Sequence, residues 1–250
     1  MEPDQRRDSI ACAAALTIDG DVVTKLHRSG TDPQALKQRL RVAARSACVL
    51  SPLDLEPKRV GDRWSTRWPR VDVVVPDPTD LPWTDAGRLV ARLHLVEPTE
   101  GFALPQGGPA RLARALSRLD DSAASDVIRR AAGKLGQPSM NRPVTLVHGD
   151  FHLGQLGRRD GSYLLIDVDD LGVGDPAADL ARPAGFWAAG LIPDADWHAF
   201  VDGYREADGP ALPEGDPWPV LEPFARAAVV GAAANHPDDE MLVAACARMG

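Results

Sequence analysis

The sequence contains few cysteines and no long apolar run. Its three cysteines, Cys12, Cys48 and Cys246, are widely spaced and odd in number, so they match neither a metal site nor a disulfide framework. They are expected to be reduced thiols in a cytoplasmic protein. Residues 1–20 carry charges but lack the apolar stretch of a signal peptide, and no run is long enough to span a membrane. The sequence therefore predicts a cytoplasmic chain with no membrane partner.

Positive charge is also scarce. Lys and Arg number 28 against 36 Asp and Glu, which gives a net charge of −8 and a pI near 5.2. This balance argues against a nucleic-acid partner and is compatible with a cationic substrate. A hydrophobic content of 44% is enough for a core, and 250 residues allow one large domain or two small lobes.

Residues 144–176 are the most informative stretch. A short apolar run, VTLV, predicts a buried strand that ends at a polar loop beginning with His148. The turn RRDGS then reverses the chain into a second apolar strand, YLLI, which ends at Asp167, Asp169 and Asp170. Acids at the ends of two neighbouring strands are held rigidly and face solvent, which favours metal or phosphate chemistry.

The spacing of these polar residues is typical of phosphoryl transfer. That chemistry uses a carboxylate to orient the acceptor hydroxyl, and oxygen ligands for Mg²⁺ at the nucleotide phosphates. In the protein-kinase catalytic loop, the base Asp lies five residues before an amide ligand, and a second metal-binding Asp comes from the next hairpin. Asp150, Gln155 and Asp167 follow this pattern.

A different metal chemistry is the alternative for the same stretch. His148, Asp150 and His152 alternate along the chain, and a hydrolase with a transition-metal site could use such a set. The helical zinc spacing H-E-x-x-H is absent, which makes this the weaker hypothesis.

Several segments resemble the aminoglycoside phosphotransferase family of kinase-like enzymes. They are GRLVARLH (87–94), HGDFHLGQ (148–155), LIDVDDLGVGDP (165–176) and DLA (179–181). The ending HLGQ, with Gln in place of Asn, is most similar to maltokinases and glucosamine kinases. The resemblance implies an α+β, protein-kinase-like fold of two lobes. Residues 1–76 would form an abbreviated N-lobe of an antiparallel sheet plus one helix, and residues 77–250 a mainly helical C-lobe.

The resemblance also implies an activity. A small-molecule kinase would transfer the γ-phosphate of ATP, or of GTP, to a hydroxyl of an aminoglycoside, an amino sugar or a related antibiotic or metabolite. Mg²⁺ would be required, the acceptor could be cationic, and the protein would be a monomer or a homodimer. The alternative is a pseudokinase that binds a nucleotide or another ligand with little or no turnover.

The same resemblance implies roles for most of the candidate site residues. These roles are proton transfer, metal binding, support of the loop and nucleotide binding. In that order, the residues are Asp150; Gln155 and Asp167; His148 and Asp179; and Lys25 with the hinge residues Val74, Val75 and Asp77. Asp169 is a further candidate metal ligand that stands where the family usually has Gly, so it could either recruit a second metal ion or crowd the site.

The N-terminal third departs from a complete kinase pattern. A hairpin turning at Asp19-Gly20 puts Lys25 on its second strand, and a helix follows over residues 33–48. No G-x-G-x-x-G stretch precedes Lys25, and this helix has no Glu to pair with the lysine. Strands are then predicted over residues 53–60 and 63–75, and the second strand ends in the run VDVVV, which is expected to be buried. A helix follows, with Thr84 as its predicted N-cap. His94, in that helix, is expected to be a buried structural residue.

Overall fold

The computed structural model describes residues 14–74, 81–98, 101–139 and 141–249. They fold into an antiparallel sheet with one helix at the N-terminal end, followed by seven helices and two small sheets. The α+β class predicted from the sequence is confirmed. The predicted boundary at residues 76 and 77 lies outside the described residues.

The N-terminal sheet has four antiparallel strands in the order β1-β2-β4-β3. Its elements are β1 (Ala15–Asp19), β2 (Val22–Leu26), β3 (Lys58–Val60), β4 (Arg63–Pro69) and helix α1 (Pro33–Arg45). The β1–β2 turn lies at Asp19-Gly20 as predicted, and Asp32 caps α1 by accepting the N–H of Gln34. Helix α1 ends three residues earlier than predicted.

Two strand predictions in this region are wrong. Only Lys58–Val60 of the predicted strand 53–60 pairs with β4. Of the described part of the VDVVV run, residues 71–74, only β5 (Asp72–Val73) forms a strand, and its residues are exposed rather than buried. Because β5 is the edge strand of a small sheet and pairs only with β7, Val73 need not enter the core, whereas Val71 and Val74 on either side of β5 are partly buried against it.

The helices of the C-terminal part pack mainly in pairs. They are α2 (Trp83–His94), α3 (Gly108–Leu116), α4 (Ala123–Ala132), α5 (Ala177–Ala188), α6 (Asp194–Glu206), α7 (Trp218–Asn235) and α8 (Glu240–Arg248). Helix α2 begins at Trp83 without a side-chain cap, so the prediction of Thr84 as N-cap is wrong. Helix α6 packs closely on α2 at Gly87, where an added Cβ would lie 2.1 Å from the carbonyl oxygen of Phe200.

Two small sheets lie between the N-terminal sheet and the helices. One consists of β5, β7 (Leu156–Arg159) and β8 (Ser162–Leu165); the other pairs β6 (Thr145–Val147) with β9 (Gly172–Gly174). The β7–β8 hairpin is bonded to the N-terminal part of the chain on both sides. Val74 donates its N–H to Leu156, and Leu165 exchanges backbone hydrogen bonds with Cys48 and Leu50.

The apolar interior is divided into two clusters. The larger one joins α1, α2, α5 and α6 with the strands around the polar loop. The smaller one lies between α3, α4, α7 and α8 and includes Ala115, Ile128, Val230 and Leu242. Among the described residues, no helix combines the length and apolar character needed to cross a membrane.

Candidate active site

The loop after β6 is held by a buried carboxylate. Asp179, in the first turn of α5, accepts the N–H of His148 at 2.6 Å and that of Gly149 at 2.7 Å. His94 Nε2 lies 3.1 Å from the same carboxylate, and its Nδ1 lies 2.8 Å from the hydroxyl of Tyr204. Burial opposes ionisation of Asp179, but these partners outweigh it and hold its pKa below the ordinary value. His94 is buried and structural, as expected.

His148 connects this loop to the β7–β8 hairpin. Its Nε2 lies 2.8 Å from the carbonyl oxygen of Ile166, the residue before Asp167. Ile166 in turn donates its N–H to the carbonyl of Gln155 at 2.9 Å. Asp150, Gln155 and Asp167 therefore lie on chain segments that are bonded directly to one another.

Gly149 is required by both its backbone angle and its neighbour. Its φ is +81°, and a Cβ would lie 2.3 Å from the carbonyl oxygen of Asp170. We expect Gly149→Ala to lower the free energy of unfolding by at least about 2 kcal/mol, measured by urea denaturation. Gly161→Ala is the matched control, because its φ is +77° but nothing lies within 4 Å. Equal losses in the two variants would show that the contact with Asp170 has no energetic weight.

Asp150 lies between two arginines. Arg111 Nη2 is 3.0 Å and Arg182 Nη2 is 3.6 Å from Oδ1, although neither contact has hydrogen-bond geometry. Burial raises the pKa of Asp150, and the two guanidinium groups offset this only in part. Asp150 is therefore a carboxylate of raised basicity with no hydrogen bond to its Oδ1 from any described residue.

Asp167 is held in a conformation that few residues adopt. Its φ is +64°, in the left-handed region, directly after β8. Its Oδ1 accepts Lys25 Nζ at 2.7 Å and the N–H of Asp169 at 3.2 Å. Oδ2 has no partner among the described residues, and the side chain is 37% exposed. Such a backbone position is typical of a functional residue.

Lys25 is buried and held by acids from the hairpin rather than by helix α1. Its Nζ lies 2.9 Å from Asp169 Oδ2, besides the contact with Asp167. Burial lowers the pKa of Lys25, but the two carboxylates outweigh it and the pKa is raised. The missing helix Glu, which weakened the sequence argument, is thus replaced by Asp169 as the partner of the lysine.

The surroundings of Asp169 do not favour a role for this residue in binding a second metal ion. Oδ2 faces Lys25, and Oδ1 lies 3.0 Å from His27 Nδ1, while the other ring nitrogen of His27 lies 2.8 Å from Thr66 Oγ1. Burial opposes ionisation of Asp169, but His27 and Lys25 outweigh it and hold its pKa far below the ordinary value. Both oxygens thus face nitrogen atoms, although the contact between Oδ1 and His27 lacks hydrogen-bond geometry.

The predicted hinge residues are only partly described. The N–H of Val74 is bonded to Leu156, so only its carbonyl is left for an adenine edge. Val75 and Asp77 lie outside the described residues.

A cavity of about 310 Å³ opens beside Asp150. Helices α3, α5 and α7 supply its walls, which are mostly apolar. Arg111 and Arg182 are the cations in its lining, and Asp150 is the one acid there among the described residues. The cavity places Asp150 next to a space that can hold a small organic molecule.

Sequence reasoning missed both arginines and His27. The polar face of α3 reads as an ordinary solvated surface, yet its Arg111 forms an ion pair with Asp170 and donates to the carbonyl of Gly149 at 3.0 Å. Arg182 follows Asp179 by three residues, which is its only sequence signal. His27 directly follows β2 and shares a face with Lys25, which the alternation of the sequence predicts, but that pattern alone indicates no role for His27.

The alternative transition-metal site has no support. In the ranges that the structure describes, no three His, Cys, Asp or Glu side chains are grouped as metal ligands. His152 Nδ1 instead accepts the N–H of Gly154, and burial, with Arg182 and His148 adding to it, lowers the pKa of His152 to about 3.

The architecture defines the class of protein. A small antiparallel sheet with one helix, a polar loop and acid-bearing hairpin, and a helical part form a two-lobed, kinase-like α+β fold. The model of the phosphotransferase enzyme family, APH, matches residues 16–218. The chain therefore belongs to this family. A search of curated proteins found no match.

Solved structures share the fold at low identity. Spectinomycin phosphotransferase APH(9)-Ia, with ADP and spectinomycin, is 15% identical with a TM-score of 0.61 and covers 93% of this chain and 80% of its own. Amicoumacin kinase hAmiN, in complex with AMP-PNP, Ca²⁺ and Ami, is 13% identical with a TM-score of 0.62, and the match covers 98% of this chain and 92% of hAmiN. Aminoglycoside phosphotransferase APH(3'')-Id from Streptomyces rimosus is 17% identical with a TM-score of 0.58 and covers 92% and 95%.

Proposed function

We propose that the protein is a small-molecule kinase that transfers the γ-phosphoryl group of ATP to a hydroxyl group of an acceptor in the cavity beside Asp150. The observation that carries the proposal is the direct bonding of the Asp150 loop to the hairpin that holds Asp167 and, through it, Lys25. Family membership supports phosphotransfer, and the nucleotides bound in the solved relatives support a nucleoside triphosphate donor.

The donor side would consist of Lys25, Asp167 and Gln155. Lys25 is anchored by Asp169, so its ammonium group can neutralise phosphate charge without a helix Glu. Asp169 is thereby assigned to holding Lys25 rather than to binding metal. The binding of adenine at the hinge, which the resemblance implies, stays a prediction.

The residues present fit a magnesium ion. Asp167 Oδ2 has no described partner, and a single carboxylate with one amide suits Mg²⁺, which takes its remaining ligands from phosphates and water. Asp167 and Gln155 would hold the ion. When bound, Mg²⁺ supplies charge neutralisation at the phosphates.

Asp150 would serve the acceptor side. Its carboxylate would accept the hydrogen bond of the acceptor hydroxyl and orient its oxygen toward the γ-phosphorus. A new P–O bond then forms to the acceptor, the bond to the β-phosphate oxygen breaks with its electron pair leaving on ADP, and the proton passes to Asp150. The raised pKa of Asp150 favours this proton transfer.

Asp167→Asn and Asp169→Asn should affect nucleotide binding differently. Asn tolerates the left-handed backbone at residue 167, so the fold is kept. We expect Mg²⁺ to strengthen ATP binding at least about tenfold in the wild type and in Asp169→Asn, and to lose this effect in Asp167→Asn. Asp169→Asn should weaken ATP binding equally with and without Mg²⁺. Calorimetric titration measures the ATP affinity with and without Mg²⁺. If only Asp169→Asn lost the Mg²⁺ effect, Asp169 would be the metal ligand and Asp167 would not.

The second candidate is a nucleotide-binding pseudokinase. The absence of G-x-G-x-x-G before Lys25 favours it, because backbone N–H groups of such a loop normally hold the phosphates. Titration of ATP followed by an ADP-release screen with aminoglycosides, amino sugars and neutral antibiotics separates the two. Turnover with any acceptor supports the kinase. Nucleotide binding without turnover across the panel supports the pseudokinase, and no binding of ATP or GTP contradicts both.

A further inference from the structure

We propose that the cavity beside Asp150 binds acceptors that carry a carboxylate close to the hydroxyl group, on an apolar body, and that Arg182 binds this carboxylate. The inference rests on the proposed function, because it names the acceptor class of the same site. It differs from the cationic acceptor that the net charge of the chain allowed.

The charges of the cavity are the first argument. A polycationic acceptor requires carboxylates around it, yet among the described lining residues only Asp150 is acidic, against Arg111 and Arg182. The other acids of the described residues lie outside the lining. Asp194, for example, accepts the indole N–H of Trp187, and Asp239 caps α8. The overall negative charge therefore does not describe the cavity.

The two arginines differ in how fully they are bonded. Arg111 pairs with Asp170, donates to the carbonyl of Gly149 and contacts Asp150. Arg182 has a single acidic neighbour, Asp150 at 3.6 Å, which it shares with Arg111, and it has no hydrogen bond to any described residue. A guanidinium group has five N–H donors, and the Arg182 side chain, which is 28% exposed in the cavity lining, can offer its donors to a bound molecule. Burial lowers the pKa of Arg182.

A carboxylate in the cavity would complete this arrangement. It can bind a guanidinium group through two parallel hydrogen bonds, which are among the stronger ones in proteins. Arg182 would then be paired with the acceptor instead of Asp150, and Asp150 would be left to accept the hydroxyl proton. An acceptor without a carboxylate leaves Arg182 facing Asp150.

Apart from the amide side chains of Gln106, Gln137 and Asn235, the rest of the lining suits an apolar body. Leu112, Ala115, Phe151, Pro223 and Phe224 line the cavity with further alanines of α5 and α7. A volume of about 310 Å³ accommodates a molecule the size of a substituted aromatic acid.

Three matched probes test the inference: 3-phenyllactate, its methyl ester, and 2-amino-3-phenylpropan-1-ol. Each carries a hydroxyl and a phenyl ring, and they differ in having a carboxylate, a neutral ester or an ammonium group beside the hydroxyl. Binding is measured by calorimetric titration of the wild-type protein, with and without AMP-PNP and Mg²⁺. We expect the acid to bind about tenfold or more tightly than the ester, and more tightly than the amine.

Arg182→Gln should weaken binding of the acid about tenfold or more and leave that of the ester within about twofold. Arg88→Gln, which removes an exposed arginine paired with Glu206, is the matched control and should change neither. If Arg182 contacted the transferred phosphoryl group instead, the variant would lower turnover alike for every acceptor and the acid would have no advantage.

Three results would overturn the inference: tighter binding of the amine than of the acid, equal effects of Arg182→Gln on acid and ester, or no binding of the acid up to about 10 mM. The ranking of the probes on the wild type stands even if the variant is unstable. Acid-selective binding without Mg²⁺-dependent ATP binding would refute the kinase but not the anion site. Mg²⁺-dependent nucleotide binding together with a cavity that prefers the amine would refute the anion site but not the kinase.

Discussion

We expect Asp150→Asn to lower the proposed phosphoryl transfer by about 10²- to 10⁴-fold, because an amide in this position could not take up the acceptor's proton. The substitution is nearly isosteric, so the contacts that hold the loop, from Asp179 to His148 and Gly149, are kept. The measurement is the initial rate of ADP formation with the best acceptor of the screen at saturating ATP. Nucleotide affinity, measured by titration, should remain within about threefold, because Asp150 faces the acceptor cavity.

Asp160→Asn is the control for this experiment. Asp160 lies in the turn of the β7–β8 hairpin with a side chain that is 93% exposed, and Asn suits its positive φ. We expect its rate and thermal midpoint to equal those of the wild type. If Asp150→Asn retained turnover within a few-fold, Asp150 would not be the proton acceptor, and the proposed mechanism would be wrong.

Asp179→Ala should lower the free energy of unfolding by about 3–5 kcal/mol. The carboxylate is fully buried and accepts two backbone N–H groups and the ring of His94, all of which would lose their partner. Its lowered pKa means that the ionised form stabilises the fold above the pKa of the unfolded chain, and that this contribution is lost as the pH falls through the folded value. Urea denaturation at neutral pH measures the effect.

Asp126→Ala provides the comparison for that loss. Asp126 is exposed and paired with Arg129 one turn along α4, so its removal should cost no more than about 0.5 kcal/mol. An Asp179→Ala protein as stable as Asp126→Ala would show that water satisfies the His148 and Gly149 amides. Asp179→Asn should fall between the two, since the amide keeps one acceptor oxygen.

The sequence was most informative where the site is local. The loop beginning at His148 and the hairpin ending at Asp167 are contiguous, and their turns and apolar runs are short-range signals, so their positions could be predicted. Helical spacing of apolar residues is a short-range signal of the same kind, as in α6, where Trp197, Phe200 and Tyr204 are buried.

The features that the sequence could not supply depend on packing. Arg111 and Arg182 approach Asp150 only because α3 and α5 meet at the cavity, and nothing local marks either residue. Asp169 pairs with Lys25, which is distant in the sequence, so this contact could not be predicted. The sequence showed only that Asp169 is close to Asp167, which suggested a role in metal binding. The exposed β5 was mistaken for a buried strand because an edge position depends on the sheet and not on the apolar run itself.

The division of the interior into two clusters has a consequence for how the protein can change. Ala115 and Ala232 line the cavity and belong to the smaller cluster, whereas the strands around the Asp150 loop and the Asp167 hairpin belong to the larger one. The cavity therefore lies where the two clusters meet, because Phe151, which also lines it, belongs to the larger one. Substitutions on the side of the smaller cluster can change the shape of the cavity without reaching the strands that carry the Asp150 loop and the Asp167 hairpin.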